Sequence, residues 1–145
     1  MIKCALNEIL ISFSTVNVFC SQLGKGIMEL LEKAALSQHG VKIRMLLPMD
    51  DQIKETTQKL KEQQQIHIRY SKQSSQTRPT ILIIVDNALS LIIDFKDDKK
   101  QNSYEAIELA SYSNNKSTIL SCTSIFENLW MQTEFRGSTN VSFPL

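Results

Sequence analysis

Six short apolar, β-prone runs dominate this chain, and the intervals between them limit what it can fold into. The runs are Ile9–Ser14, Val41–Leu47, Ile66–Tyr70, Thr80–Val85, Leu89–Phe95 and Ala106–Tyr112. The first three are separated by stretches long enough to hold helices. Such crossovers demand parallel strands, because a parallel pair needs a connection of roughly a dozen residues or more. Only Asp86-Asn87-Ala88 separates the fourth run from the fifth. That is hairpin spacing, and it demands antiparallel pairing. The expected order is β-α-β-α-β-β-β-β-α: one α/β domain with a mixed sheet flanked by helices, spanning residues 1–135, with an irregular tail over 136–145.

The runs differ in character. Thr80–Val85 (TILIIV) is the most apolar and is expected near the middle of the sheet. Ile66-His67-Ile68-Arg69-Tyr70 alternates cleanly, as a half-buried strand near an edge does. Leu23, Ile27, Leu30, Leu31 and Ala34 fall at helical spacing, and Gly40 stands where a helix would close. Asp50 and Asp51 suit the start of a second, polar helix over Ile53–Gln64. Ser113, Asn114 and Asn115 offer caps for a last helix over Ser117–Glu134, which carries Ile119, Cys122, Ile125, Phe126, Leu129 and Trp130. Packing is the default role of Trp130. Residues 71–79 read as a polar loop, long enough over 71–78 to act as a lid, and Asp97–Ser103 as a charged turn.

Charge removes several function classes. Lys and Arg total 16 against 15 Asp and Glu, a formal charge of +1. A dedicated nucleic-acid binder needs far more phosphate-neutralising charge, and a polybasic membrane module likewise. No run approaches the roughly 20 apolar residues of a membrane-spanning helix. The amino-terminal stretch, broken by Asn7 and Glu8, does not read as a signal peptide. Cys4, Cys20 and Cys122 are too few and too scattered for a disulfide framework or a zinc site, which suits a reducing cytoplasm. Cys20 and Cys122 read as small buried hydrophobes, with any redox role left open. No cofactor and no metal is implied.

The element order, with a long loop before a buried strand ending in Asp86, resembles one repeat of the phospholipase D fold. The stretches EILISFSTVNVF, GVKIRMLLP and, most specifically, YSNNKS followed by SIFENLW resemble a narrower group over about residues 5–134. That group is the sensor region ahead of archaeal signal-transduction histidine kinases, related to effector domains of TrmB-type transcription regulators. The resemblance implies a cytoplasmic input domain and a kinase or regulator partner. It also implies a homodimer, because catalytic relatives join two such repeats around one site and this chain has one.

Catalytic members of that superfamily carry H-x-K-x-x-x-x-D, in which His attacks phosphorus and Lys neutralises phosphoryl oxygens. Anchoring the motif on Asp86 puts Pro79 at the His position and Ile81 at the Lys position. Neither His39 nor His67 restores the pattern. Catalytic residues are therefore expected to be none. A residual phosphodiesterase or nuclease, and a dimerisation scaffold without ligand, stand as the alternatives.

For a ligand, the candidates are Ser14, Thr15 and Asn17 after the first strand, Asp86 after the fourth, and Ser113, Asn114 and Asn115 after the last. Strand-to-helix junctions are where α/β sheets tend to bind small molecules or anions. The plainer alternative makes the two hydroxyl and amide clusters caps, and Asp86-Asn87 a turn. Gly24-Lys25-Gly26 lacks phosphate-loop spacing. Asp86 also resembles the acidic end of a response-regulator receiver strand, but a strand follows it after three residues instead of further βα units. Arg44, Arg69 and Arg78 read as solvated charges at a sheet edge, or as a group converging on an acidic ligand.

Overall fold

Alternation along the strands divides the apolar residues of this chain between the two faces of one sheet. A computed structural model describes residues 2–37, 40–72, 78–96 and 107–137. The strands are β1 (Glu8–Phe13), β2 (Lys42–Pro48), β3 (Ile66–Ser71), β4 (Thr80–Val85), β5 (Leu89–Phe95) and β6 (Ile107–Ser113). They form a six-stranded sheet in the order β3-β2-β1-β4-β5-β6. The pairs β1–β2 and β2–β3 are parallel, while β4 lies antiparallel to β1, β5 to β4 and β6 to β5. The chain is thus an α/β protein with a mixed sheet between helices. The most apolar run, β4, takes an inner place, and the alternating run, β3, takes an edge.

One face carries Ile9, Ile11, Ile43, Met45, Leu47, Ile81 and Ile83, packed against Val18, Phe19, Ile27, Leu31, Ile53 and Leu60. These last come from four helices: α1 (Val16–Leu23), α2 (Ile27–Ala35), α3 (Asp51–Thr56) and α4 (Gln58–Lys61). The opposite face carries Leu10, Leu46 and Ile84 and is covered by α5 (Lys116–Gly137) through Ile119, Cys122, Phe126 and Trp130. Those four positions are spaced by three and four residues, so one stripe of α5 meets the sheet. Burying each large side chain contributes roughly 1.5–3 kcal/mol.

Both expected crossover helices are broken in two. Gly26 adopts φ +82°, a left-handed conformation that no helix continues through, and it caps α2 instead. A side chain there would be strained for that reason, although its Cβ would have room. Thr57 divides α3 from α4. Its buried hydroxyl donates back to the Ile53 carbonyl at 2.8 Å, so the Tyr70 hydroxyl 2.9 Å away must be the donor to Thr57. A β-branched residue bonding its own preceding turn while anchoring β3 marks the break. Gly40 also has a positive φ, +58°, but α2 ends well before it, at Ala35.

Other expectations shift at the margins. Cys122 is buried, whereas Cys20 is exposed on α1 and is no core residue, because the stripe of α1 that meets the sheet runs through Val18 and Phe19. The last helix takes in Arg136 and Gly137, the first two residues of the expected tail. The rest of that tail, most of the expected lid, His39 and the charged turn from Asp97 to Ser103 lie outside the described residues. Among the described residues, no helix is long and apolar enough to cross a membrane.

Candidate functional site

The parallel strands β1, β2 and β3 bring their carboxyl ends to one edge of the sheet, and antiparallel β4 begins there. The period of two then decides which residues at that edge face α5. Ser12 shares that face with Leu10, Ser71 with Arg69, and Thr80 with Leu82. Ser12, Ser71, Thr80 and Leu82, together with Phe13, Ser14, Leu46, Lys72, Ile125 and Leu129, line a crevice of about 220 Å³ between the sheet edge and α5. That is below the roughly 300–1,000 Å³ of sites for drug-sized molecules, and suits a small metabolite.

Ser14 closes one end of the crevice. Its hydroxyl donates to the Arg78 carbonyl and accepts from the Thr80 amide at 2.6 Å, and its own amide donates to the Thr80 carbonyl at 3.1 Å. One serine thus stitches the end of β1 to the start of β4. By contrast, among the described residues, the hydroxyls of Ser12, Ser71 and Thr80 and the Lys72 ammonium have no hydrogen-bond partner in the protein.

The other expected ligand residues lie elsewhere. Thr15 is buried and caps α1, accepting from the Val18 amide at 3.3 Å, and Asn17 follows it in the first turn. Both belong to the helix layer on the face opposite α5. Asn115 caps α5, its side-chain oxygen accepting from Ser117 and Thr118 at 2.9 and 3.2 Å. The Ser113 hydroxyl accepts from the Asn115 amide at 3.0 Å, and Asn114 is exposed between them. Ser113 pairs with Ser90, beside the β4–β5 turn.

Asp86 occupies that same far end. It follows the last residue of β4, but β4 runs antiparallel to β1, so Val85 stands opposite Ile9 at the amino end of β1. Asp86 and Asn87 have φ +54° and +53°, the left-handed pattern of a type I′ turn, and Ala88 donates back to Val85 at 2.9 Å. The Asp86 carboxylate accepts three backbone amides, from Leu6 at 2.9 Å, Asn7 at 2.7 Å and Glu8 at 2.9 Å. Partial burial works to raise its pKa. The amides of Glu8, Leu6 and Asn7 together outweigh that, and hold the carboxyl below its usual range. With Asn7, Glu8, Gly40, Lys42 and Asn87 it borders a shallow depression of about 490 Å³. The structure therefore brings only Ser14 of the expected ligand residues to the carboxyl-edge crevice.

The arginines also take a different role. Arg44 and Arg69 sit on adjacent strands, but both point under α5 instead of into solvent or towards a ligand. Arg44 makes a two-pronged pair with Glu127, one prong at 3.2 Å, and lies 3.8 Å from Glu8. Its guanidinium stacks over Phe126 and Trp130, with centroids 5.5 and 5.4 Å away. Arg69 lies 4.3 Å from the Trp130 ring centroid and donates to the Trp130 carbonyl at 3.0 Å. A planar cation can stack on an aromatic face and hydrogen-bond at its rim simultaneously, so this pair clasps α5 to the sheet.

The sequence assigned no ligand role to Ser12, Thr80, Ile125 or Leu129, and placed Ser71 and Lys72 only at the start of a lid. One signal was present: Ser12 interrupts the otherwise apolar run Ile9–Phe13. Among the described residues, no three His, Cys, Asp or Glu side chains gather as a metal site. Partial burial of the sulfur, and after it the Asp50 charge, raise the Cys20 pKa, which favours the thiol over the reactive thiolate. No family model and no curated protein matches this sequence.

Proposed function

We propose that this chain is a non-catalytic sensory domain with a phospholipase D-like fold. A small ligand enters the carboxyl-edge crevice, and the message leaves through α5 to a kinase- or regulator-type partner in the cytoplasm. The observation that carries the reading is that α5 is itself a wall of the crevice. Ile125 and Leu129 line it, and Leu129 is followed directly by Trp130, the residue clasped by Arg44 and Arg69. A ligand that displaces Leu129 therefore bears on the clasp, and differential affinity for two positions of α5 is what a sensor requires. Two further observations support a non-catalytic reading. Ile81, at the motif's Lys position, is buried on the face away from α5, and the Asp86 carboxylate is already occupied by three amides.

Trp130 is the only tryptophan, so its emission reports on α5. In titrations with sugars, amino acids and nucleotides, at least one class is expected to shift Trp130 emission and raise the Tm together. Absence of any response turns the reading towards a scaffold. Turnover of bis-p-nitrophenyl phosphate that vanishes in Asp86→Asn, with circular dichroism unchanged, overturns it. The reading also pairs two copies of the chain, for which exposed Leu109 and Tyr112 on edge strand β6 offer apolar surface. Light scattering after size exclusion at micromolar concentration is expected to give the dimer mass; a monomer removes that part.

A further inference from the structure

The crevice has a chemical bias of its own. Four groups that can donate hydrogen bonds and have no protein partner among the described residues line it: the hydroxyls of Ser12, Ser71 and Thr80 and the ammonium of Lys72. No Asp or Glu is among its described lining residues. Of the acids at this edge, Asp50 caps α3 and Asp51 begins it, on the opposite face of the sheet, while Asp94 stands opposite Thr80 on β5, outside the lining. The remaining walls are apolar. Leu46 and Leu82 come from the sheet, while Ile125 and Leu129 come from α5, on which both are exposed.

Resting on the sensory reading above, we propose that the crevice takes a small organic carboxylate. Its anionic head lies among Ser12, Ser71, Thr80 and Lys72, and its hydrocarbon or aryl portion lies against Ile125 and Leu129. Three features of the site select this class. A donor-rich, acid-free lining favours an anion over a cation or a neutral amine. A single lysine matches one negative charge, which a carboxylate carries and a phosphate dianion exceeds. An apolar wall of this extent gives a bare inorganic ion nothing to bury, whereas a small aryl or alkyl group fills it. The volume of about 220 Å³ admits one such molecule and no nucleotide.

Benzoate, benzamide and inorganic phosphate separate these features, with the full chain as receptor and both Trp130 emission and Tm as readouts. Benzoate is expected to saturate. Benzamide, of the same shape without the charge, is expected to bind about tenfold more weakly, the scale of one charge-assisted hydrogen bond. Phosphate is expected to be weaker than benzoate as well. Lys72→Ala is expected to remove the preference for benzoate over benzamide, and Lys72→Arg to keep most of it. Lys72 is exposed, so neither change endangers the fold. Leu129→Tyr, which fills the crevice from α5, is expected to block benzoate.

Equal binding of benzoate and benzamide, both blocked by Leu129→Tyr, overturns the carboxylate assignment while leaving the crevice as the sensory site. Phosphate binding as tightly as benzoate overturns it in favour of a phosphate head. Benzoate binding that survives Leu129→Tyr places the anion elsewhere and overturns the site itself. No response to any of the three overturns the carboxylate assignment, and the sensory reading is then decided by the neutral members of the wider panel.

Discussion

The two ends of the sheet use polar residues in opposite ways. At the end where β1 begins, Asp86 is fully engaged: three backbone amides point at its carboxylate, and its own amide donates to the Glu8 carbonyl at 2.8 Å. At the end where β1 finishes, Ser14 is stitched to β4, but the hydroxyls of Ser12, Ser71 and Thr80 make no hydrogen bond within the described protein. A saturated polar residue holds the fold, whereas unpaired donors beside an apolar wall are placed to hold something else. The difference teaches that a polar residue after a strand has no fixed meaning. What it does depends on which backbone groups the neighbouring strand brings to it.

The largest expected effect falls at the saturated end. Asp86→Ala removes an acceptor from three amides and puts alanine at φ +54°, so a loss of about 2 kcal/mol is expected in urea unfolding. A loss under about 0.5 kcal/mol would erase the contrast between the ends. Asp86→Asn tolerates the left-handed turn and keeps one side-chain oxygen, so its loss at pH 7 is expected to be about half as large. The pH dependence of that difference has a definite sign. The folded-state pKa of Asp86 is lowered, so the stability advantage of the native aspartate over the Asp86→Asn variant is fully present above the unfolded value near 3.9. It drains away as the pH falls below about 4 and through the lower folded pKa. Paired urea titrations from pH 7 to pH 2.5 check this.

At the other end the effects shrink. Ser14→Ala breaks the hydroxyl's bonds to the Arg78 carbonyl and the Thr80 amide, and about 1 kcal/mol is expected from thermal unfolding. Ser12→Ala removes a hydroxyl without a described partner and is expected to change stability by less than about 0.5 kcal/mol in either direction. A Ser12→Ala loss as large as that of Ser14→Ala would mean that the crevice is internally satisfied, and would end its claim as a binding site.

Much of the fold was legible because its signals are local. Leu23, Ile27, Leu30 and Leu31 announce a helix by spacing alone, and Asp86-Asn87-Ala88 announces a hairpin by brevity. The breaks at Gly26 and Thr57 were less legible. The first needs the actual φ of one glycine, and the second depends on Tyr70, which arrives from another strand. The site was least legible. Arg44 and Arg69 look like solvated charges until Trp130 is laid across them, and Trp130 lies 61 residues from Arg69 along the chain.

By itself, then, the sequence determined six strands, two crossovers and one tight hairpin. Alternation and loop length settle these, and both are properties of neighbouring residues. Tertiary structure alone decided that β4 inserts antiparallel beside β1. That pairing sends Asp86 to one end of the sheet and leaves Ser12, Ser71 and Thr80 together at the other. Strand order is set by which apolar faces pack best across long separations in sequence, and no local pattern encodes it.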